Sequence, residues 1–186
     1  MADNKKIHPH KFTLWVAMAS IVMMFAGLTS AYIVKRGQTN WQGFDLPLLF
    51  TYSTLVIVFS SVTMQLAVKQ FKSRNMLQYR WMLVVTALLG FLFMAMQFAG
   101  FSILHDRGIK LLGRGSNVSG SFLAVIAGVH ILHVLGGIIA LLVMLGKAFS
   151  SRKRNYNAVP VEVLATYWHF VDVLWIYLFI FLKWVS

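Results

Sequence analysis

The sequence contains no cysteine and very little negative charge. Without thiol groups, the chain can form neither disulfide bonds nor thiolate metal sites. Only 5 of the 186 residues are Asp or Glu, and no Glu-x-x-His unit occurs. A di-iron helix bundle needs about four glutamates and two Glu-x-x-His units. These absences exclude disulfide scaffolds, thiolate metal domains and carboxylate-bridged di-iron proteins.

Hydrophobic residues, by contrast, make up 59% of the chain and aromatic residues 15%. This composition is typical of a protein embedded in a bilayer. The net charge of +12 comes from 17 Lys and Arg residues, which stand between the apolar stretches. Basic residues in such positions favour lipid headgroups over a nucleic-acid groove. We therefore expect membrane lipids, and no nucleic acid, as partners.

Five apolar stretches are long enough to cross a hydrocarbon core, which takes about 20 helical residues. The connecting loops of about 10 to 16 residues are too short for a soluble domain. The sequence therefore predicts an all-α fold, with residues 1–186 forming a single membrane domain that is a polytopic bundle of five transmembrane helices. The predicted spans are residues 12–34, 48–68, 81–104, 120–146 and 161–184.

The basic residues are divided unequally between the two ends of this bundle. Five spans place the termini on opposite sides, and the side richer in Lys and Arg is cytoplasmic. Eleven of these residues lie on the N-terminal side and six on the other, so we predict a cytoplasmic N-terminus and an outer C-terminus. The eleven are Lys5, Lys6, Lys11, Lys69, Lys72, Arg74, Arg80, Lys147, Arg152, Lys153 and Arg154, and the six are Lys35, Arg36, Arg107, Lys110, Arg114 and Lys183.

The fifth span carries three ionisable residues, Glu162, His169 and Asp172, in an otherwise apolar segment. At 100° per residue they fall within an arc of about 80° on one helix face. Trp168 and Trp175 stand seven residues apart on another face. Because ionisable side chains inside a membrane need partners, we predict that the polar face points inward and that the other face is aromatic.

The fourth span presents two different faces. His130 and His133 lie one turn apart on one of them. On the other, small residues recur at multiples of four, which favours close approach of a neighbouring helix. A helix used on both faces is expected inside a bundle or at a subunit contact. The small residues are Ala124, Gly128, Gly136 and Ala140.

Two interpretations of the histidines remain open at this point. His130, His133 and His169 are ligand types found in metal sites of bundles and in haem ligation by two helices. Alternatively, they hydrogen-bond across the helix interface together with Glu162 and Asp172. We favour the second interpretation, because the carboxylates are too few for a bundle metal site.

The sequence predicts the bonding partners of three polar residues inside the spans. Asp172 lies about 18 Å into the fifth span, near mid-bilayer, and is predicted to pair with His169 or with a histidine of the fourth span. Glu162 is predicted to form a structural pair, with a part in proton uptake as the alternative. Gln97, in the third span, is predicted to donate a hydrogen bond to another helix.

Two segments strongly resemble subunit III of the haem-copper respiratory oxidases, which comprise cytochrome c and quinol oxidases. They are YWHFVDVLW at 167–175, which Glu162 precedes, and GSFLAVIAGVHILHVLGG at 120–137. MQFAGF in the third span and MMFAGLTSAY in the first match the family in pattern, so the resemblance covers most of the chain. The length is similar to the five-helix bacterial form, which lacks two N-terminal helices of the seven-helix type.

The resemblance implies a subunit of a proton-pumping terminal oxidase in the bacterial cytoplasmic membrane. Such a subunit packs directly on subunit I, associates with subunit II and other oxidase subunits, binds phospholipid and supports sustained proton uptake. Haem and copper are then expected on partner subunits, with no cofactor on this chain. Motif positions of the family are matched here by His130, His133, Glu162, His169 and Asp172.

The chain also departs from the family pattern. Ile21, next to Ser20, stands where many relatives have a glutamate in the first common helix, and Gly100 stands where another can occur. The proton-linked role of the first of these carboxylates is therefore not transferred. Two rival functions are a free-standing haem or metal protein using His130, His133 and His169, and a transporter. The absence of paired broken helices and of an inverted repeat disfavours transport.

The topology can be tested with single cysteines, since the chain has none of its own. We expect a membrane-impermeant thiol reagent added to intact cells to label Ser186→Cys and to leave Ala2→Cys unlabelled. Labelling of Ala2→Cys alone would reverse the predicted orientation.

Overall fold

The computed structural model describes residues 9–37, 41, 43–109, 111, 118–150 and 158–185. These residues form five α-helices and no strand. Each helix is long and apolar enough to cross a membrane. The predicted all-α bundle of five membrane-spanning helices is confirmed, while the orientation of its termini stays a prediction. The helices are α1 (Pro9–Arg36), α2 (Leu48–Lys72), α3 (Met76–Asp106), α4 (Val118–Phe149) and α5 (Val159–Val185).

Every helix extends beyond its predicted apolar span. The difference is largest between α2 and α3, where the basic loop expected between residues 68 and 81 shrinks to a turn between Lys72 and Met76. Arg74 adopts a positive φ of 59° in this turn, and the Asn75 side chain accepts a hydrogen bond from the backbone N–H of Gln78. Lys and Arg are good helix formers, so a helix continues where its hydropathy stops.

The tight turn makes α2 and α3 an antiparallel pair, and α4 packs against α3. The last helix, α5, packs against α1, α2 and α4. In the described part of the chain, the backbone of α1 approaches α4 and α5 but neither α2 nor α3. A gap therefore separates α1 from α2, with α5 between them. We call the end where α1, α3 and α5 begin the N-terminal end of the bundle.

Trp168 of α5 is buried where three other helices meet it. Its indole N–H donates to the hydroxyl of Ser60 in α2, with a distance of 2.9 Å between Nε1 and Oγ. A Cβ atom added at Gly90 of α3 would lie 2.9 Å from Cη2 of this indole, and one at Gly137 of α4 would lie 3.0 Å from Cζ3. The two glycines thus leave the room that the ring occupies.

Trp175 repeats this arrangement two turns further along α5. It is fully buried, and its Nε1 donates to Oγ1 of Thr54 in α2 over 3.0 Å. The Phe93 ring of α3 packs edge-on against it, with 5.1 Å between centroids. The aromatic face of α5 is therefore an inward face. The predicted contrast between an inward polar face and an opposite aromatic one is wrong, because at 100° per residue Trp168 and Trp175 lie only about 40° and 60° from Asp172 and share its buried side. An indole packs deep in a bundle once its N–H finds a hydroxyl acceptor.

No helix of the described structure comes close to Gly128 or Gly136 on the small-residue face of α4, so the close approach predicted along this face stays a prediction, with a subunit contact as its remaining place. Gly128 has open space where a side chain would stand, and at exposed Gly136 a Cβ would meet only Oη of Tyr167, at 3.8 Å. Ala124 and Ala140 are half-buried. The spacing of small residues identifies a face of α4 without bulky side chains. It does not show whether that face points inward or outward, because in lipid an outward face can be as apolar as an inward one.

Two neighbouring glycines of α4 provide a matched test of this packing. Gly137→Ala places a methyl group against the buried indole, and overpacking of this kind costs about 1 to 3 kcal/mol. Gly136→Ala adds the same methyl group in open space and, since alanine favours helix, should be neutral or stabilising by up to about 1 kcal/mol. Unfolding of the purified chain in mixed micelles, followed by circular dichroism, measures both. Equal stability of the two variants would contradict the arrangement.

Candidate functional site

The ionisable side chains of α5 line its contact with α2. We call this set the polar seam: Ser61 and Gln65 of α2, and Glu162, His169 and Asp172 of α5. It begins at the partly exposed Glu162 near the N-terminal end of the bundle and ends at the buried Asp172 in mid-helix.

Glu162 joins three helices. Its Oε2 lies 2.9 Å from Nζ of Lys11 in α1, and its Oε1 lies 2.8 Å from Nζ of Lys72 in α2. The three side chains are 28%, 42% and 57% exposed, respectively, so solvent screens both ion pairs. Each pair then contributes about 1 kcal/mol or less. Of the two roles considered for Glu162, this geometry supplies the structural pair.

A cavity of about 330 Å³ opens beside these ion pairs, in the gap between α1 and α2. Lys11 and Trp15 of α1 form one wall, and Gln65 of α2 forms part of the other. Glu162 and His169 lie on the α5 side. The outer part of the polar seam, Gln65, Glu162 and His169, therefore lines a cavity that is large enough for water or part of a lipid.

His169 is bound to α2 through both ring nitrogens. Its Nδ1 lies 2.6 Å from Oγ of Ser61, and its Nε2 lies 3.1 Å from Oε1 of Gln65. The two partners stand one turn apart on α2, so the imidazole bridges them. The predicted interhelical role of His169 thus involves α2 and not α4.

Asp172 is 2% exposed, and neither carboxylate oxygen has a hydrogen-bond partner among the described residues. The Ser61 hydroxyl group lies beside it but makes its hydrogen bond to His169. The predicted pair between Asp172 and His169 or an α4 histidine is therefore absent. The reason is the rotation of α5, which turns Asp172 toward α2 and meets α4 through Trp168 and Trp175.

The α4 histidines lie in different surroundings. His130 is fully buried, and its ring nitrogens have no partner in the described part of the chain. The rings of Phe25, Phe93 and Trp175 surround it, with centroids 6.3, 6.1 and 5.0 Å away. His133 donates from Nδ1 to the Val129 carbonyl oxygen of its own helix over 2.8 Å. Neither forms the predicted bond to a side chain of α5.

The donor set fits a metal or haem poorly. Within the described ranges, no three His, Asp or Glu side chains lie close enough together to hold a metal ion. Both nitrogens of His169 are engaged, and aromatic rings fill the space around His130. A haem needs a free axial nitrogen with room for the macrocycle beside it.

The hydroxyl residues of α2 that receive these side chains were not among the predicted site residues. Ser60 and Thr54 accept from the two tryptophans, and Ser61 bonds to His169. Ser53 accepts from Nε2 of the buried Gln97 over 2.8 Å, which makes Gln97 a donor from α3 to α2. Ser53 and Ser60, like Thr54 and Ser61, stand seven residues apart. This spacing, two helical turns, was the available signal.

The salt concentration distinguishes the exposed ion pairs of Glu162 from the buried hydrogen bond between Trp175 and Thr54. Glu162→Gln keeps the side chain's size and removes its charge, so we expect a loss of about 0.2 to 1 kcal/mol per ion pair that shrinks at high salt. Thr54→Val leaves the buried N–H of Trp175 without an acceptor, which costs about 1 to 3 kcal/mol at any salt concentration. Unfolding of each variant at low and high salt measures both losses. A salt-independent loss in Glu162→Gln would contradict the ion pairs.

Comparison with known proteins shows the family of this chain. The family model described as cytochrome c oxidase subunit III matches residues 10–186. A cytochrome c oxidase subunit 3 from Corynebacterium diphtheriae is 33% identical over 172 residues, which cover 89% of this chain and 82% of the relative. One from Thermostichus vulcanus is 34% identical over 189 residues, covering 95% and 89%. The chain therefore belongs to the cytochrome c oxidase subunit III family.

Proposed function

We propose that this chain is the non-catalytic subunit III of a proton-pumping haem-copper terminal oxidase in the bacterial cytoplasmic membrane. It packs on subunit I, binds phospholipid and supports stable proton uptake and turnover. Haem and copper belong to the partner subunits. Family membership supports the assembly with other oxidase subunits. The observation that carries the non-catalytic role is the separation of the histidines: His169 is bound to α2, aromatic rings surround His130, and no three His, Asp or Glu side chains of the described ranges lie close enough together to hold a metal ion.

The rival function, a free-standing haem or metal protein, needs at least one histidine nitrogen that can reach an iron. His169 uses both of its nitrogens to bind α2. His133 bonds to its own backbone through Nδ1 alone, and within the described ranges it belongs to no group of three His, Asp or Glu side chains that could hold a metal ion. His130 has both nitrogens available but is enclosed by three aromatic rings. These contacts favour a structural use of the histidines.

Contact with a larger subunit is supported by the outward surface of α4. Its half-buried Ala124 and Gly128 and the exposed Gly136 face away from the rest of this chain. With a methyl group at Ala124 and no side chain at the two glycines, these positions allow another transmembrane helix to approach closely, which is how helices associate in lipid. We assign this face of α4 to the contact with subunit I.

Phospholipid binding is supported by the cavity between α1 and α2. Lys11 and Lys72 share the single carboxylate of Glu162, so this cluster keeps an excess positive charge that attracts an anionic headgroup. Trp15, 63% exposed, suits the interfacial region of a bilayer. The same cavity gives water access to Glu162 and His169. A role near proton uptake is consistent with that access.

Two glycines on outward faces test the assignment of α4. Gly128→Leu adds a bulky side chain where the chain itself has open space, and Gly27→Leu does the same on α1. Both variants should fold, but only Gly128→Leu should lose the partner subunits when the chain is affinity-purified. Haem absorbance per chain and oxygen consumption through prolonged turnover measure the loss.

The haem content of the purified Gly128→Leu chain also distinguishes an oxidase subunit from a free-standing haem protein. If the purified Gly128→Leu chain keeps a stoichiometric haem without other subunits, the chain is itself a haem protein. If Gly128→Leu retains the partner subunits as fully as Gly27→Leu does, the α4 face is not the contact with subunit I.

A further inference from the structure

The Asp172 side chain is the buried polar group that the packing of the bundle explains least. It lies in the middle of α5, is 2% exposed and has no hydrogen-bond partner among the described residues. A carboxylate in such a place is costly unless it is paired or neutralised. An aliphatic side chain would fill the same space without that cost. The position therefore points to chemistry that only a carboxyl group provides.

A series of polar groups connects Asp172 to the cavity at the N-terminal end of the bundle. His169 lines the cavity. Its Nδ1 lies 2.6 Å from Oγ of Ser61, and the Ser61 hydroxyl group lies beside the Asp172 carboxylate. Imidazole and hydroxyl groups are donors and acceptors at once, so each can receive a proton on one side and release another on the opposite side. The series runs between α2 and α5 and ends at Asp172.

We propose that Asp172 is a proton-binding site that exchanges its proton with the aqueous phase at the N-terminal end of the bundle through His169 and Ser61. The site itself depends only on this chain. Its use as a proton reservoir during oxidase turnover rests on the proposed function.

The proton transfer balances without any redox step. The transfer starts from the Nδ1–H tautomer of neutral His169, in which the Gln65 amide has turned to donate to bare Nε2. A hydronium ion in the cavity protonates this Nε2 and becomes water. The resulting imidazolium passes its Nδ1 proton to Oγ of Ser61, while Ser61 releases its hydroxyl proton to the Asp172 carboxylate. The ring is then neutral again, and one proton has moved from the cavity to Asp172. The Gln65 amide turns to accept from Nε2–H or to donate to bare Nε2, so it accommodates both states of the ring.

No charged group competes for this proton in the described surroundings of Asp172. The backbones of α1, α2 and α4 approach α5, and α3 contacts it through Gly90 and Phe93, which carry no charge. Lys11 of α1 and Lys72 of α2 are bound to Glu162. On α4, His133 is bound to its own backbone and His130 lies against Trp175. His169 and Ser61 are thus the route that the contacts provide.

Infrared spectroscopy of the full chain in liposomes tests the proposal. A protonated Asp172 gives a carboxylic C=O stretching band that Asp172→Asn removes. On transfer to D₂O this band should shift, and the shift should be slower by about tenfold or more in Ser61→Ala and His169→Gln. Glutamine in His169→Gln can still hydrogen-bond to α2, but its amide group does not titrate and cannot relay a proton. Ser61→Thr keeps the hydroxyl group and should retain fast exchange, as should Ser20→Ala, whose hydroxyl bonds only its own backbone on exposed α1.

Two results would overturn the proposal: a C=O region that is the same in Asp172→Asn and the parent, or equal exchange rates in His169→Gln, Ser61→Ala and Ser20→Ala. Should Ser61→Ala fail to fold by circular dichroism, the comparison of His169→Gln with Ser20→Ala decides. The measurement needs no partner subunit. Its failure is therefore distinct from a failure to co-purify with the oxidase.

Discussion

The buried indole of Trp168 sets the arrangement of this bundle. It lies against Gly90 of α3 and Gly137 of α4, and it donates a hydrogen bond to Ser60 of α2. Between membrane helices the hydrophobic effect provides no driving force, because lipid tails are as apolar as leucine. Close packing at small residues and interhelical hydrogen bonds must hold the helices together. One side chain of α5 supplies both, to three helices at once.

The position of the polar seam follows from that contact. With Trp168 and Trp175 turned toward α3 and α4, helical periodicity turns His169 and Asp172 toward α2. His169 therefore bonds to Ser61 and Gln65, and the histidines of α4 stay apart from it. Glu162, at the start of the seam, ties α1 and α2 to α5 near solvent. The same rotation leaves Asp172 without a hydrogen-bond partner in the described structure. The buried carboxyl group is therefore the basis of the proton-binding site proposed above.

The sequence predicted the five spans and the family, because apolar length and two long motifs are local properties of the chain. It did not predict which helix faces meet. In water, a polar face marks the outside, but in lipid both faces are apolar, so periodicity alone could not place Trp168 inward or choose Gly137 over Gly136. The helix ends were missed for a related reason: Lys69 ends the apolar run of α2 without ending its helix, which continues to Lys72. The paired hydroxyls of α2 carried usable information in their spacing of seven.

A double-mutant cycle between Trp168 and Ser60 measures whether the hydrogen bond between these two residues holds α5 to α2. Ser60→Ala removes the acceptor, Trp168→Phe removes the donor and part of the packed ring, and unfolding in mixed micelles gives the stability of each variant. We predict that Ser60→Ala alone costs about 1 to 3 kcal/mol, because it leaves a buried N–H unsatisfied, and that the double variant loses less than the sum of the single losses. Additivity within about 0.3 to 0.5 kcal/mol would contradict the account, since it would show that the two residues do not interact.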